Sequence, residues 1–417
     1  MPPSAPVSPA PGPHSATVAP GHETPASSAL PNDWASWLSA QRATLEHANQ
    51  WRQRRTPADG AKDFASNDYL ALARHPELAK ALAAAAADLG CGAGSAQLLG
   101  GYRPIHQELE ERLAEWVQRP AAALFSTGYM ANLGLITALT GTDDLIVQDK
   151  LNHASLIDAA RLSGAKLRRF RHHDMNSLQR QLTLPGRRRL LAVESVFSMD
   201  GDLAPLAEIA RLATAHDALL CVDEAHALGV FGQHGSGSLG EAGLSAADAP
   251  VVVGTFGKSL GTHGAFVAGP QEIIDQLVNR ARSHVYTTAP APPLAAATLA
   301  SLQLVRRDQW RRDHLQDLIE RFVQRAGQLG LPLGASRSPI QPLLLGEAGR
   351  ALDLSQALAT QGFHVPAIRP PTVPEGTSRL RISLNAGHQP DDIEQLLVAI
   401  ARHLEQPAQA AGLERRP

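Results

Sequence analysis

A single pattern recurs through the middle of the chain: a short apolar run, a polar or glycine break, then residues spaced as on a helix. Runs at 121–125, 144–148, 190–193, 218–222 and 251–253 follow it. Buried strands alternating with helices specify an α/β fold, with a mostly parallel central sheet and helices on both faces. Right-handed crossovers bring the loop after every strand to one edge of that sheet. Ligands of open α/β sheets bind along this carboxyl edge, so the polar residues that end the runs are the first place to look for chemistry.

The flanking segments read differently. Residues 1–32 are rich in Pro, Ala and Ser, and the first 31 contain no Lys or Arg. Such a composition buries too little apolar surface to order itself, so a disordered tail is expected. It has neither the charged and apolar regions of a secretory signal nor the arginines of a mitochondrial transit peptide. Segment 33–70 opens with Trp34, Trp37, Leu38, Leu45 and Trp51 at helical spacing, as far as about residue 55. It closes on residues 63–70, a mix that suits a turn leading into another helix. The repeated pattern fills a large domain at 71–295. Residues 296–405 hold a long arginine-rich helical stretch, runs at 340–345 and 364–368, an alternating, half-exposed strand at 378–384 and an amphipathic helix at 391–404. These predict a smaller α+β domain. A flexible tail at 406–417 completes the division.

With 417 residues, 44% hydrophobic and 19% charged, the chain has material for a sizeable core. A net charge of -2 gives no reason to expect nucleic acid or an anionic membrane as partner. Cys91 and Cys221 make no disulfide framework and no CxxC zinc pair, which points to a reducing cytoplasm. No apolar stretch is long and uninterrupted enough to span a bilayer.

The run ending at 222 meets Asp223, with His226 three residues further on, and the next run leads to Thr255 and Lys258. Pyridoxal 5'-phosphate (PLP) requires a lysine to form an imine with its aldehyde and a carboxylate to keep its pyridine nitrogen protonated. It also needs phosphate donors and a flat group against its ring. Lys258 is the candidate imine former, Asp223 the candidate carboxylate, and His153 a candidate flat face. Singly, each has a plainer reading: strand-ending aspartates form turns, and most lysines are solvated. Together they carry weight, because Lys258 sits among Gly254, Gly257, Gly261 and Gly264 in a chain with just four other lysines.

Other motifs fail on spacing. Gly257-Lys258-Ser259 would need a glycine five residues before Gly257 to make a P-loop, and Val252 is there. Residues 92–97 lack the third glycine of a dinucleotide fingerprint. His172-His173-Asp174 lacks further ligands for a metal site and reads as an exposed turn.

Several blocks, in order, resemble the α-oxoamine synthases, PLP enzymes of fold type I (aspartate-aminotransferase-like). They are Ser66-Asn67-Asp68-Tyr69-Leu70, Phe125-Ser126-Thr127-Gly128-Tyr129, Leu151-Asn152-His153-Ala154-Ser155, residues 196–202, Val222-Asp223-Glu224-Ala225-His226, Thr255-Phe256-Gly257-Lys258 and Tyr286-Thr287-Thr288. The resemblance runs from about residue 34 to 404. It implies decarboxylative condensation of an amino acid with an acyl thioester. Lys258 would hold the cofactor, His153 would stack on its ring, Asp223 would pair with the pyridinium and His226 would approach the ring hydroxyl. Gly128, Tyr129, Ser198 and Thr255 would help hold the cofactor. A homodimer with shared active sites is implied too, Thr288 reaching the phosphate bound by the partner.

Residues 367–377 resemble the branch that joins L-alanine to a pimeloyl thioester, carried by coenzyme A or an acyl carrier protein, for biotin. That branch implies Arg369 at the amino-acid carboxylate with Thr372 nearby. One arginine of Arg52, Arg54 and Arg55 would meet the far pimeloyl carboxylate, and Arg52 is favoured. The alternatives are a synthase with another acyl-CoA and amino acid, such as acetyl-CoA and glycine, or a non-catalytic subunit of the same fold.

Overall fold

The computed structural model describes residues 30–54 and 56–405, so residues 1–29 and 406–417 of the two tails, and Arg55, lie outside the described residues. The described residues fall into two compact units, divided between Gln53 and Arg54. In the first, the helix Asn32–His47 ends eight residues short of the helical stretch expected from the sequence. It buries none of its residues, and Arg42 lies over the Trp51 ring.

In the second unit, a short strand β1 (Lys62–Asp63) precedes seven strands: β2 (Ala121–Phe125), β3 (Leu145–Asp149), β4 (Lys166–Phe170), β5 (Arg189–Glu194), β6 (Ala218–Asp223), β7 (Val251–Thr255) and β8 (Ala265–Gly269). These seven form one sheet in the order β2-β8-β7-β6-β5-β3-β4. Pairing is parallel from β7 to β4, while β8 runs antiparallel to both β7 and β2. Apolar side chains cover both faces. Ala192, Cys221 and Val253 pack toward the helices Gly128–Leu139 and Ala154–Ser163, and Leu191, Val193, Leu220 and Val222 toward the helix Leu206–Ala215. Burial on both faces is why the strands read as unbroken apolar runs.

Further on, β9 (Ile340–Gly346), β11 (Ala367–Ile368) and β12 (Ser378–Ser383) make an antiparallel sheet in the order β11-β12-β9, and β10 (Phe363–His364) pairs in parallel with β1. The expected strand at 364–368 is thus two short ones, interrupted at Val365-Pro366, where proline has no N–H to offer a ladder. The expected half-exposed strand at 378–384 is instead buried at every position. Its polar residues face protein: Arg379 and Arg381 hydrogen-bond to the 198–200 loop that follows β5.

The turn at His172-His173 is also more enclosed than its composition suggested. His172 is held between Asp149 at 3.0 Å and Asp202 at 2.7 Å and stacks on His173. Asp174 caps the following helix through the Ser177 N–H.

Candidate active site

The carboxyl edge of the large sheet gathers the polar residues that end its strands. Asp223 closes β6 and is buried; its Oδ1 accepts the Ala225 N–H at 2.9 Å and its Oδ2 the Asn132 side-chain amide at 2.7 Å. Glu194 closes β5 and is buried beside it, accepting the backbone N–H of His153. Lys258 follows β7 in a loop tied by Gly261 N–H to its own carbonyl at 2.8 Å.

These charges act on one another. Desolvation pushes the Lys258 amine down to about 8, with the charges of Asp223 and Glu194 resisting and that of Arg381 assisting. Desolvation likewise pushes Glu194 up to about 8, and the neighbouring Asp223 charge adds to the shift while Lys258 opposes it. An amine lowered this far has a substantial neutral fraction near physiological pH, which a nucleophile or base requires.

Two imidazoles stand nearby. His153 caps the helix Ala154–Ser163, its Nδ1 receiving the Ser155 N–H at 3.2 Å and lying 2.8 Å from Ser155 Oγ. Desolvation lowers its pKa, Asp223 opposes that, and the Lys258 charge adds to it. His226 is buried, with Nδ1 2.7 Å from Tyr69 Oη. Burial, then the charges of Lys258, Arg381 and His153, hold its pKa well below the ordinary value, so the ring is neutral.

At the start of the helix Gly128–Leu139, Gly128 lies against Thr255: a Cβ there would sit 3.7 Å from the threonine Cβ. A helix N-terminus facing a hydroxyl suits a phosphate. Thr255 Oγ1 donates to Gly264 O at 3.0 Å, and Ser198 is buried with its carbonyl on Arg381. Tyr129 is exposed and donates to Asp158 at 2.6 Å. Amine, fixed carboxylate, flat imidazole and phosphate donors are thus present along one edge, and the residues fit PLP.

The remaining sequence candidates sit in other segments. Thr288 is exposed and bridges to Ala96. Arg369 is half-buried, and its carbonyl accepts the N–H of exposed Thr372 at 3.1 Å. Arg52 is exposed and belongs to the first compact unit.

Sequence reasoning passed over Asn67, Tyr69, Asn132, Ser155, Glu194 and Arg381. Glu194 was findable, because it ends its apolar run as Asp223 ends the next. Arg381 is buried on β12, donating through Nε to Ser198 O at 2.6 Å and through Nη1 to Asn67 Oδ1 at 3.1 Å and Ser383 Oγ at 2.9 Å. Nothing in the local pattern around 378–384 singles it out.

Comparisons with known proteins agree with this geometry. The family model for aminotransferase class I and II matches residues 61–400. An 8-amino-7-oxononanoate synthase from Alkalilimnicola ehrlichii is 53% identical over 344 residues, covering 82% of this chain and 88% of that protein. One from Nitrosococcus oceani is 52% identical, covering 82% and 91%. Among solved structures, serine palmitoyltransferase from Sphingomonas wittichii superposes with a TM-score of 0.83 at 32% identity, covering 89% of this chain and 97% of that one. The 8-amino-7-oxononanoate synthase of Francisella tularensis gives 0.74 at 31%, covering 83% and 98%. With PLP-type chemistry assembled at the edge of a fold type I sheet, and identities above half to named enzymes, the chain belongs to the 8-amino-7-oxononanoate synthase family of PLP-dependent acyltransferases.

Proposed function

We propose that this enzyme condenses L-alanine with a pimeloyl thioester, releasing carbon dioxide and the free thiol and giving 8-amino-7-oxononanoate for biotin synthesis. The observation that carries this reading is the gathering of Lys258, Asp223, His153 and His226 along one sheet edge, with Asp223 buried and held by Asn132 at 2.7 Å. The choice of acyl branch is supported by 53% identity to an 8-amino-7-oxononanoate synthase, against 32% to a serine palmitoyltransferase.

When bound, PLP withdraws electrons from the substrate Cα through a protonated pyridine ring. Asp223, oriented by two donors, would hold the proton at the ring nitrogen. Lys258 would anchor the cofactor and, as a free amine, would serve as the general base for the substrate Cα proton. His153 would supply the flat face for the ring, and neutral His226 would approach the ring hydroxyl. Gly128, Tyr129, Ser198 and Thr255 would help hold the cofactor. Arg369 and Thr372 are assigned to the amino-acid carboxylate. Arg381 is a second candidate, because it is buried and its charge reaches Lys258. Arg52 is assigned to the pimeloyl carboxylate.

The same reading keeps a cofactor-binding domain at 71–295 and a smaller one at 296–405, and makes the enzyme a cytoplasmic homodimer. No helix among the described residues is long and apolar enough to cross a membrane. Thr288 is exposed beside Tyr286, and its bridge to Ala96 brings it near exposed Leu98 and Leu99, a surface suited to a second copy.

Purified enzyme supplied with L-alanine should form product and carbon dioxide from pimeloyl-CoA or pimeloyl-acyl carrier protein, but not from acetyl, succinyl or palmitoyl thioesters. Preference for one of the latter would move the enzyme to another α-oxoamine synthase branch. Lys258→Ala should abolish turnover and leave no cofactor attached after reduction.

A further inference from the structure

Asn132 lies one helical turn beyond Gly128, on the same face of its helix, and is buried. Its side-chain nitrogen donates one hydrogen to Asp223 Oδ2 at 2.7 Å and the other to Ser155 Oγ at 2.9 Å. Ser155 Oγ lies in turn 2.8 Å from His153 Nδ1. We infer that Asn132 is a positioning residue that aligns Asp223 and, through Ser155, His153 toward one bound PLP. The inference rests on the PLP reading above and deepens it.

Hydrogen-bond direction supports it. The amide orientation is fixed, since turning it over would set its oxygen against the Asp223 carboxylate. Ser155 Oγ accepts from Asn132, so its own hydrogen is free for His153 Nδ1, which also faces the Ser155 N–H. With two donors converging on it, Nδ1 stays unprotonated, and the neutral ring carries its hydrogen on Nε2. On the other side, the amide fixes the direction in which the Asp223 carboxylate faces. The cost is visible: Asn132 Oδ1 is buried and finds no donor among the described residues. An unsatisfied buried acceptor of this kind calls for a functional reason.

The test compares Asn132→Leu, Ser155→Ala and the double variant with the wild type. PLP affinity is measured by equilibrium dialysis, and the pH midpoint of the bound cofactor's visible band by titration. Asn132→Leu is expected to weaken PLP binding by about tenfold or more, the size of a lost hydrogen bond to a charged group. Ser155→Ala should weaken it less and shift the pH midpoint. The double variant should bind no worse than Asn132→Leu, because the Ser155 leg is already cut. Wild-type affinity and midpoint in Asn132→Leu, or a Ser155→Ala penalty that adds in full to it, would overturn the inference. If Asn132→Leu does not fold by circular dichroism, Ser155→Ala decides, and an unshifted midpoint there sinks it. The PLP reading itself fails differently: the wild type would then bind no PLP, or Lys258→Ala would keep the wild-type band.

Discussion

Tyr69 Oη lies 2.7 Å from His226 Nδ1, so a residue just after β1 fixes a ring just after β6. Both side chains are buried, and burial raises the Tyr69 pKa, keeping its proton in place. Tyr69→Phe should therefore lower PLP affinity by about three- to tenfold, the range for one neutral hydrogen bond. Equilibrium dialysis measures this, and an unchanged affinity would remove His226 from the cofactor's contacts.

Lys258 attacks an aldehyde only when unprotonated. Its pKa of about 8 places the midpoint of cofactor attachment to apo-protein near pH 8, with the rate rising as pH rises. The Glu194 charge raises that pKa, so Glu194→Gln should move the midpoint to lower pH. Stopped-flow absorbance across this range is the measurement, and a midpoint in the ordinary lysine range would refute the placement.

A guanidinium on the amino-acid carboxylate should govern amino-acid binding. Arg369→Ala is expected to raise KM for L-alanine by about tenfold or more, and by more than Arg381→Ala does. Steady-state kinetics at saturating thioester separate the two. The reverse ranking moves the carboxylate to Arg381.

His172 supplies a pH signature in stability. Desolvation lowers its pKa, but hydrogen bonds to Asp149 and Asp202 outweigh that and raise it to about 9. The folded state thus holds the proton more tightly than the unfolded chain, whose histidine titrates at about 6.5. The stabilisation is complete below about pH 6.5 and is lost as pH rises through about 9; the roughly 3 kcal/mol this range corresponds to is cut by solvent screening of the part-exposed ring to on the order of 2 kcal/mol. Urea unfolding across that window should show the decline in the wild type and a flatter profile in His172→Gln.

The sequence was legible at most strands buried on both faces, though β8, buried at every position, was missed behind Gly264. Residues 121–125 and the run ending at Asp223 match β2 and β6 almost residue for residue. β4 escaped notice because Lys166, Arg168 and Arg169 break its apolar run at the sheet's edge. Polar residues at strand ends announced Asp223, Lys258 and His153. Asn132, inside a helix, and Arg381, inside a strand, owe their places to side chains far away in sequence, which no local spacing encodes.

The site also joins distant parts of the chain. β1 pairs with β10, the Ser383 N–H reaches Phe64 O, and Arg381 meets Asn67 across 314 residues. During synthesis Lys258, Asp223 and His153 leave the ribosome well before β12 does. A nascent chain stopped near residue 330 would carry every one of these groups and still lack β12, whose Arg381 ties Ser198 to Asn67. The site is therefore complete only once residues near 380 have been made.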